Sequence, residues 1–83
     1  MTVHILMIRV HLRDALGRRA KETGERLSLA QLSKRTGVSL HTLQSIAYRS
    51  GYNATLDTIS KICIALDIQP SELLSLSREG DDG

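Results

Sequence analysis

The sequence predicts an all-α fold: five short helices around one core, preceded by a single short N-terminal β-strand. Three observations carry this reading. Apolar residues recur at three- and four-residue spacing in successive stretches, which is the pattern of one-sided helices. Residues that cap helix starts, and glycines that end helices, stand at the borders of those stretches. Finally, 83 residues with 41% hydrophobic content, no Phe or Trp and two Tyr leave room for one small domain with an aliphatic core.

His4 to Val10 is rich in β-branched residues and too short for a stable helix, so it reads as a strand. Alternation puts Leu6, Ile8 and Val10 on one face and Ile5, Met7 and Arg9 on the other. A lone strand leaves its backbone groups unpaired, and the chain shows no second strand by pattern. Pairing with the same strand of another copy is therefore expected, making residues 1–10 a dimerisation arm with Ile5, Leu6, Met7, Ile8 and Val10 as the interface. Met7 also reads as a possible natural start, which would make the preceding residues an extension.

Residues 11–23 form the first helix, with Leu12, Leu16, Ala20 and Thr23 at helical spacing and Gly24 at its end. Gly17 weakens it unless another element packs closely there. The stretch Ser28 to Arg49 is the centre of the chain. Ser28 and Gln31 have the form of a capping box, Leu32 points inward, and Gly37 ends the second helix one turn later. Ser39 caps the third, whose Leu43 and Ile46 face the same core as Leu32 and Val38. Two short helices joined by a tight Thr-Gly-Val-Ser turn are the sequence form of a helix-turn-helix, whose second helix can enter the major groove of DNA.

Residues 50–54 are a loop by their Gly and Asn content. Thr55 caps a fourth helix from Leu56 to about Leu66, with an apolar stripe of Leu56, Ile59, Ile62, Cys63 and Leu66 and with Ile64 off the stripe. Gln69 to Glu72 opens a short fifth helix with Pro70 in its first turn, and Leu73, Leu74 and Leu76 are expected to close the core. These elements give a domain over residues 11–76 and a polar, acidic tail over residues 77–83 that is expected to be disordered.

The net charge of +2 hides an asymmetry. Residues 1–53 carry nine Lys/Arg against three Asp/Glu, a net of +6, and residues 54–83 carry two against six, a net of −4. A basic half containing the helix pair suits a polyanionic partner. With two Tyr as the sole large aromatics, base stacking on single strands is poorly supplied. One cysteine excludes an internal disulfide, and His4, His11, His41 and Cys63 lack metal-site spacing, so no metal or cofactor is expected. The segment Ile5 to Ile8 is too short for a membrane span, which fits a cytoplasmic protein with no membrane partner. No nucleophile–base pair, carboxylate pair or phosphate-cradling loop appears, so an enzyme is not expected.

From Val10 to Leu76 the chain resembles the Cro and phage-repressor type of helix-turn-helix domain, also called the xenobiotic-response-element type. The resemblance rests on Leu27 to Ser39, then Thr42-Leu43 and Ile46, and on the distal Thr55 to Ile59, Ala65-Leu66 and Pro70 to Leu74. It implies a compact five-helix, repressor-like DNA-binding fold and a transcriptional regulator, usually a repressor, that binds a partly palindromic double-stranded operator as a homodimer. By position, helix 39–49 is the reading helix. Ser39 caps it and touches phosphate, Leu40, His41 and Ser45 face base edges, and Gln44 lies beside them. Ser28 presents the second helix's N-terminus to a phosphate, and Arg49 and Asn53 reach the backbone on the far side. Ser33 departs from the usual Ala, and its hydroxyl is expected to bond back to its own helix. No Arg, Lys or Asn holds the leading base-reading positions, so readout is lean, and an AT-leaning site is expected. Phage repressor, autoregulator and antitoxin all fit. The competing reading is a protein-interaction or antitoxin-like module that kept the fold with little DNA readout and uses the apolar strand, Leu40 and Ile64.

Overall fold

A computed structural model describes residues 6–49 and 51–78. In chain order the elements are β1 (Leu6–Val10), α1 (Leu12–Thr23), α2 (Leu29–Thr36), α3 (Leu40–Tyr48), α4 (Leu56–Leu66), α5 (Pro70–Leu73) and β2 (Leu74–Arg78). Local chemistry sets the helix borders. The Ser28 hydroxyl accepts from Gln31 N–H at 3.1 Å while the Gln31 side chain accepts from Ser28 N–H at 2.9 Å, closing a reciprocal box at the start of α2. Ser39 and Thr55 accept from the N–H groups of Thr42 and Thr58 and start α3 and α4 in the same way. Glu72 accepts from Gln69 N–H at 2.7 Å ahead of α5. Gly24 and Gly37 close α1 and α2 at φ 77° and 78°, a left-handed geometry that costs glycine nothing.

The five most buried large side chains are Leu12, Leu32, Leu43, Ile62 and Leu73, one from each helix. They form the hub of a core completed by Ala15, Leu27, Val38, Ile46, Ile59, Cys63 and Leu66. With no large aromatic buried, each hub leucine carries a large share of the cohesion, and truncating one to Ala costs about 2–5 kcal/mol. α2 packs on both α3 and α4, and α1 on α3 and α5, so of the two helices that bracket the turn α2 is backed by α4 and α3 by α1. Cys63 is a core residue as expected, and burial, with Glu72 nearby, pushes its thiol pKa up, away from reactivity. Leu56 is a correction to the apolar stripe. It is 81% exposed because it occupies the first position of α4, which begins outside the core.

The expectation of a strand without a partner in the chain does not hold. β2 pairs antiparallel with β1, with Ile8 opposite Leu76 and Val10 opposite Leu74 on one face, and with Met7 opposite Ser77 and Arg9 opposite Ser75 on the other. The ladder extends toward the core through His11 N–H, which donates to the Leu73 carbonyl at 2.7 Å. Ser77 and Arg78 therefore belong to a strand rather than to a disordered tail, whereas residues 79–83, like His4 and Ile5, lie outside the described residues. Val10 and Leu74 pack on the core, but Ile8 and Leu76 are 61% and 64% exposed, so Leu76 does not close the core. The apolar face of the sheet is thus covered at Val10 and Leu74 and uncovered at Ile8 and Leu76.

Candidate nucleic-acid interface

The turn between α2 and α3 is held by side chains on both sides of Gly37. The Thr36 hydroxyl donates to the Leu32 carbonyl at 2.8 Å and accepts from Val38 N–H at 3.1 Å. The Ser33 hydroxyl donates forward to the Val38 carbonyl at 2.6 Å. That corrects the expected bond back into α2: at the last turn of a helix the chain reverses, and the carbonyl beyond the turn comes within reach of the hydroxyl. With Val38 buried beneath these bonds, the angle at which α3 leaves the turn is fixed.

On α3 the exposed side chains are Leu40, His41, Gln44 and Tyr48, spaced so that one outward face holds all four. Ser45 is not among them. It is 5% exposed, on the inner side between Leu43 and Ile46, and so cannot face base edges. Ser28 and Ser39 are exposed at the N-termini of α2 and α3. Each hydroxyl satisfies one N–H of its helix, which leaves other first-turn donors and the positive dipole end for an anion. Asn53 and Arg49 are exposed beyond the C-terminus of α3.

Sequence reasoning missed three residues at this end. The Arg13 guanidinium of α1 lies 4.9 Å from the Tyr48 ring centroid, and that of Arg49 lies 5.9 Å from the Tyr52 ring. Tyr48 had a signal, since it stands four residues after Gln44 and seven after His41. Arg13 had none, because only the packing of α1 on α3 brings it there.

The basic half also divides in two. Arg19 and Arg35 are tied to Glu25 at 3.0 and 2.7 Å, and Arg19 donates as well to the Leu66 carbonyl at 3.1 Å. Arg18 donates to the Glu72 carbonyl. Arg18 and Arg19 thus tie α1 to α5 and α4, and Glu25 joins Arg19 to Arg35 of α2. The pairing with Arg35, then with Arg19, holds the Glu25 carboxyl below its ordinary pKa. Among the described residues no group of three or more His, Cys, Asp or Glu could hold a metal ion, and no helix is long and apolar enough to cross a membrane.

A capped helix pair with a fixed turn is shared by many proteins, but residues 24–79, from Gly24 through α2 to β2, match the Cro/C1-type HTH DNA-binding domain. The chain belongs to that family. The match covers about two thirds of the chain, including the turn, the exposed face of α3 and the distal helices, so this Cro/C1-type domain is a DNA-binding regulator. No curated protein and no solved structure matches the chain. β1 and α1 precede the matched stretch.

Proposed function

We propose that this Cro/C1-type domain is a cytoplasmic, sequence-specific transcriptional repressor that reads the major groove of double-stranded DNA with α3 as a homodimer. The observation that carries the reading is the exposed line of Leu40, His41 and Gln44 near the start of an α3 whose exit angle is fixed by the turn. His41 donates to or accepts from a base edge, Gln44 suits adenine, and Leu40 packs on a thymine methyl. Ser28 and Ser39 set helix N-termini against phosphates, and Arg49 and Asn53 meet the backbone beyond. The dimer forms through the sheet that contains Leu6, Met7, Ile8 and Val10, with Ile5 preceding it. Its operator is partly palindromic.

Selecting bound duplexes from a random pool tests this directly. A partial palindrome with half-sites about 34 Å apart, or a multiple of that, supports a two-fold reader. Recovery of unenriched sequence overturns it.

A second reading is favoured by Leu56 and Ile64, which are exposed eight residues apart on α4 rather than on α3. They suit a protein partner of the antitoxin type. A stoichiometric partner that co-purifies with a chain lacking DNA affinity supports this reading over the first.

A further inference from the structure

The chain contains two Tyr and no Phe or Trp, and each tyrosine carries an arginine at cation–π distance. Both stacks line one groove of about 290 Å³ that lies between the start of α1, the end of α3 and the loop after it, with Arg9 of β1 also on its wall. We propose that Arg13 and Arg49, each propped on a tyrosine, form a two-armed grip on backbone phosphates of the DNA strand bordering the groove that α3 enters, with Tyr48 and Tyr52 as positioning residues. The proposal rests on the DNA-binding reading above and adds to it a contact from α1, which precedes the stretch matched by the family.

Helical geometry places the grip. Recognition helices meet base edges with their N-terminal residues. At 1.5 Å per residue, Tyr48 stands about 10 Å further along α3 than His41, and the major groove is about 12 Å wide. With His41 over the bases, the Tyr48 end of α3 arrives at the sugar–phosphate wall. There a guanidinium is the fitting group. Its planar fork matches two phosphate oxygens, and stacking occupies only its face, leaving the N–H edge free to donate. A ring already within cation–π distance of the guanidinium also reduces the rotamer freedom lost on binding.

The electrostatics separate these arginines from the structural ones. Arg19 and Arg35 are neutralised by Glu25, whereas among the described residues no ion pair ties Arg13 or Arg49 to an acid. Asp14, next to Arg13 in sequence, sits 3.8 Å from His11 Nδ1 instead. Two positive groups supported by rings and left unneutralised keep their full charge for an external anion.

The test measures affinity of the full chain by fluorescence anisotropy, over about 50–200 mM salt, for the selected duplex and for a mixed-sequence duplex. Arg13→Gln is expected to lower the slope of log K against log salt by about 0.9 and to weaken both duplexes by the same factor. Arg49→Gln should do likewise. Tyr48→Phe keeps the ring and the slope. Tyr48→Ala lowers the slope in part, and Arg13→Gln combined with Tyr48→Ala falls no further than Arg13→Gln alone. Thermal melts confirm that each variant is folded. A folded Arg13→Gln protein with the wild-type slope overturns the grip while leaving DNA binding in place, as does an effect confined to one duplex. Wild-type protein that binds neither duplex overturns the DNA reading and the grip together.

Discussion

Gly17 shows how a single position separates a packing requirement from a tolerated weakness. A methyl group added there meets nothing within 4 Å, and the residue sits inside α1. Close approach of another element is thus not its reason, and Gly17→Ala should stabilise the fold by about 0.4–1 kcal/mol through the unfolded chain's lost freedom. Thermal denaturation should register this as a rise of several degrees; a lower midpoint would mean that the site is occupied in solution. Ser33 is the opposite case. Its hydroxyl is a donor to the Val38 carbonyl across the turn, so Ser33→Ala should cost about 1 kcal/mol and leave α2 itself intact. Urea unfolding checks the size of the loss, and helical circular dichroism of the folded state checks that α2 persists. Both serines that resisted sequence reading, Ser33 and Ser45, resisted for one reason: their surroundings are set by the turn and by tertiary packing. Ser28, Ser39 and Thr55 were legible because a cap and its N–H lie three residues apart.

The same division holds for elements. All five helices were legible, since their caps, terminal glycines and apolar spacing are local, and so was β1. β2 was not, although Leu74-Ser-Leu-Ser-Arg78 alternates as a strand should. The run is five residues long and follows directly on the Pro70 helix, so its leucines read equally well as core residues. Tyr48 and Arg13 illustrate the corresponding limit at the site, where the helix face is periodic but its neighbour on α1 is not. Between elements, Glu25 is the clearest link. It lies in the connection from α1 to α2 and holds Arg19 of the first and Arg35 of the second. Its pKa is lowered from 4.5 in the folded state, chiefly by Arg35 and then Arg19. The link therefore stabilises fully above the unfolded carboxylate's pKa and is lost as pH falls through the lower folded value. Melting midpoints of wild type and Glu25→Gln should differ by a constant amount above about pH 5 and converge as pH drops below 4.5. A gap that stays constant across that range would assign the shift to something other than this carboxyl.

For the whole molecule, the homodimer proposed above needs a surface through which a domain of this size brings two copies of α3 to one duplex. The sheet is the surface we propose for it. Each strand has one edge paired and one outer edge, and the Ile8–Leu76 face is exposed beyond the core. A two-fold axis through this surface would bury the same residues from both copies, as an isologous contact requires. Two large exposed side chains per copy fall well short of the roughly 1,600 Å² buried in a standard interface, so the isolated dimer should be weak and adjacent half-sites should strengthen it through effective concentration. Sedimentation of the wild-type chain should accordingly show a concentration-dependent monomer–dimer equilibrium. Ile8→Asp with Leu76→Asp should give monomer throughout. The exposed positions of both residues keep the fold intact, so this variant should retain wild-type affinity for a single half-site and lose the added affinity for the palindrome. A double variant that remains dimeric would remove the sheet from the interface and shift attention to the exposed Leu56 and Ile64 of α4, whose own substitution would then be the one to abolish the dimer.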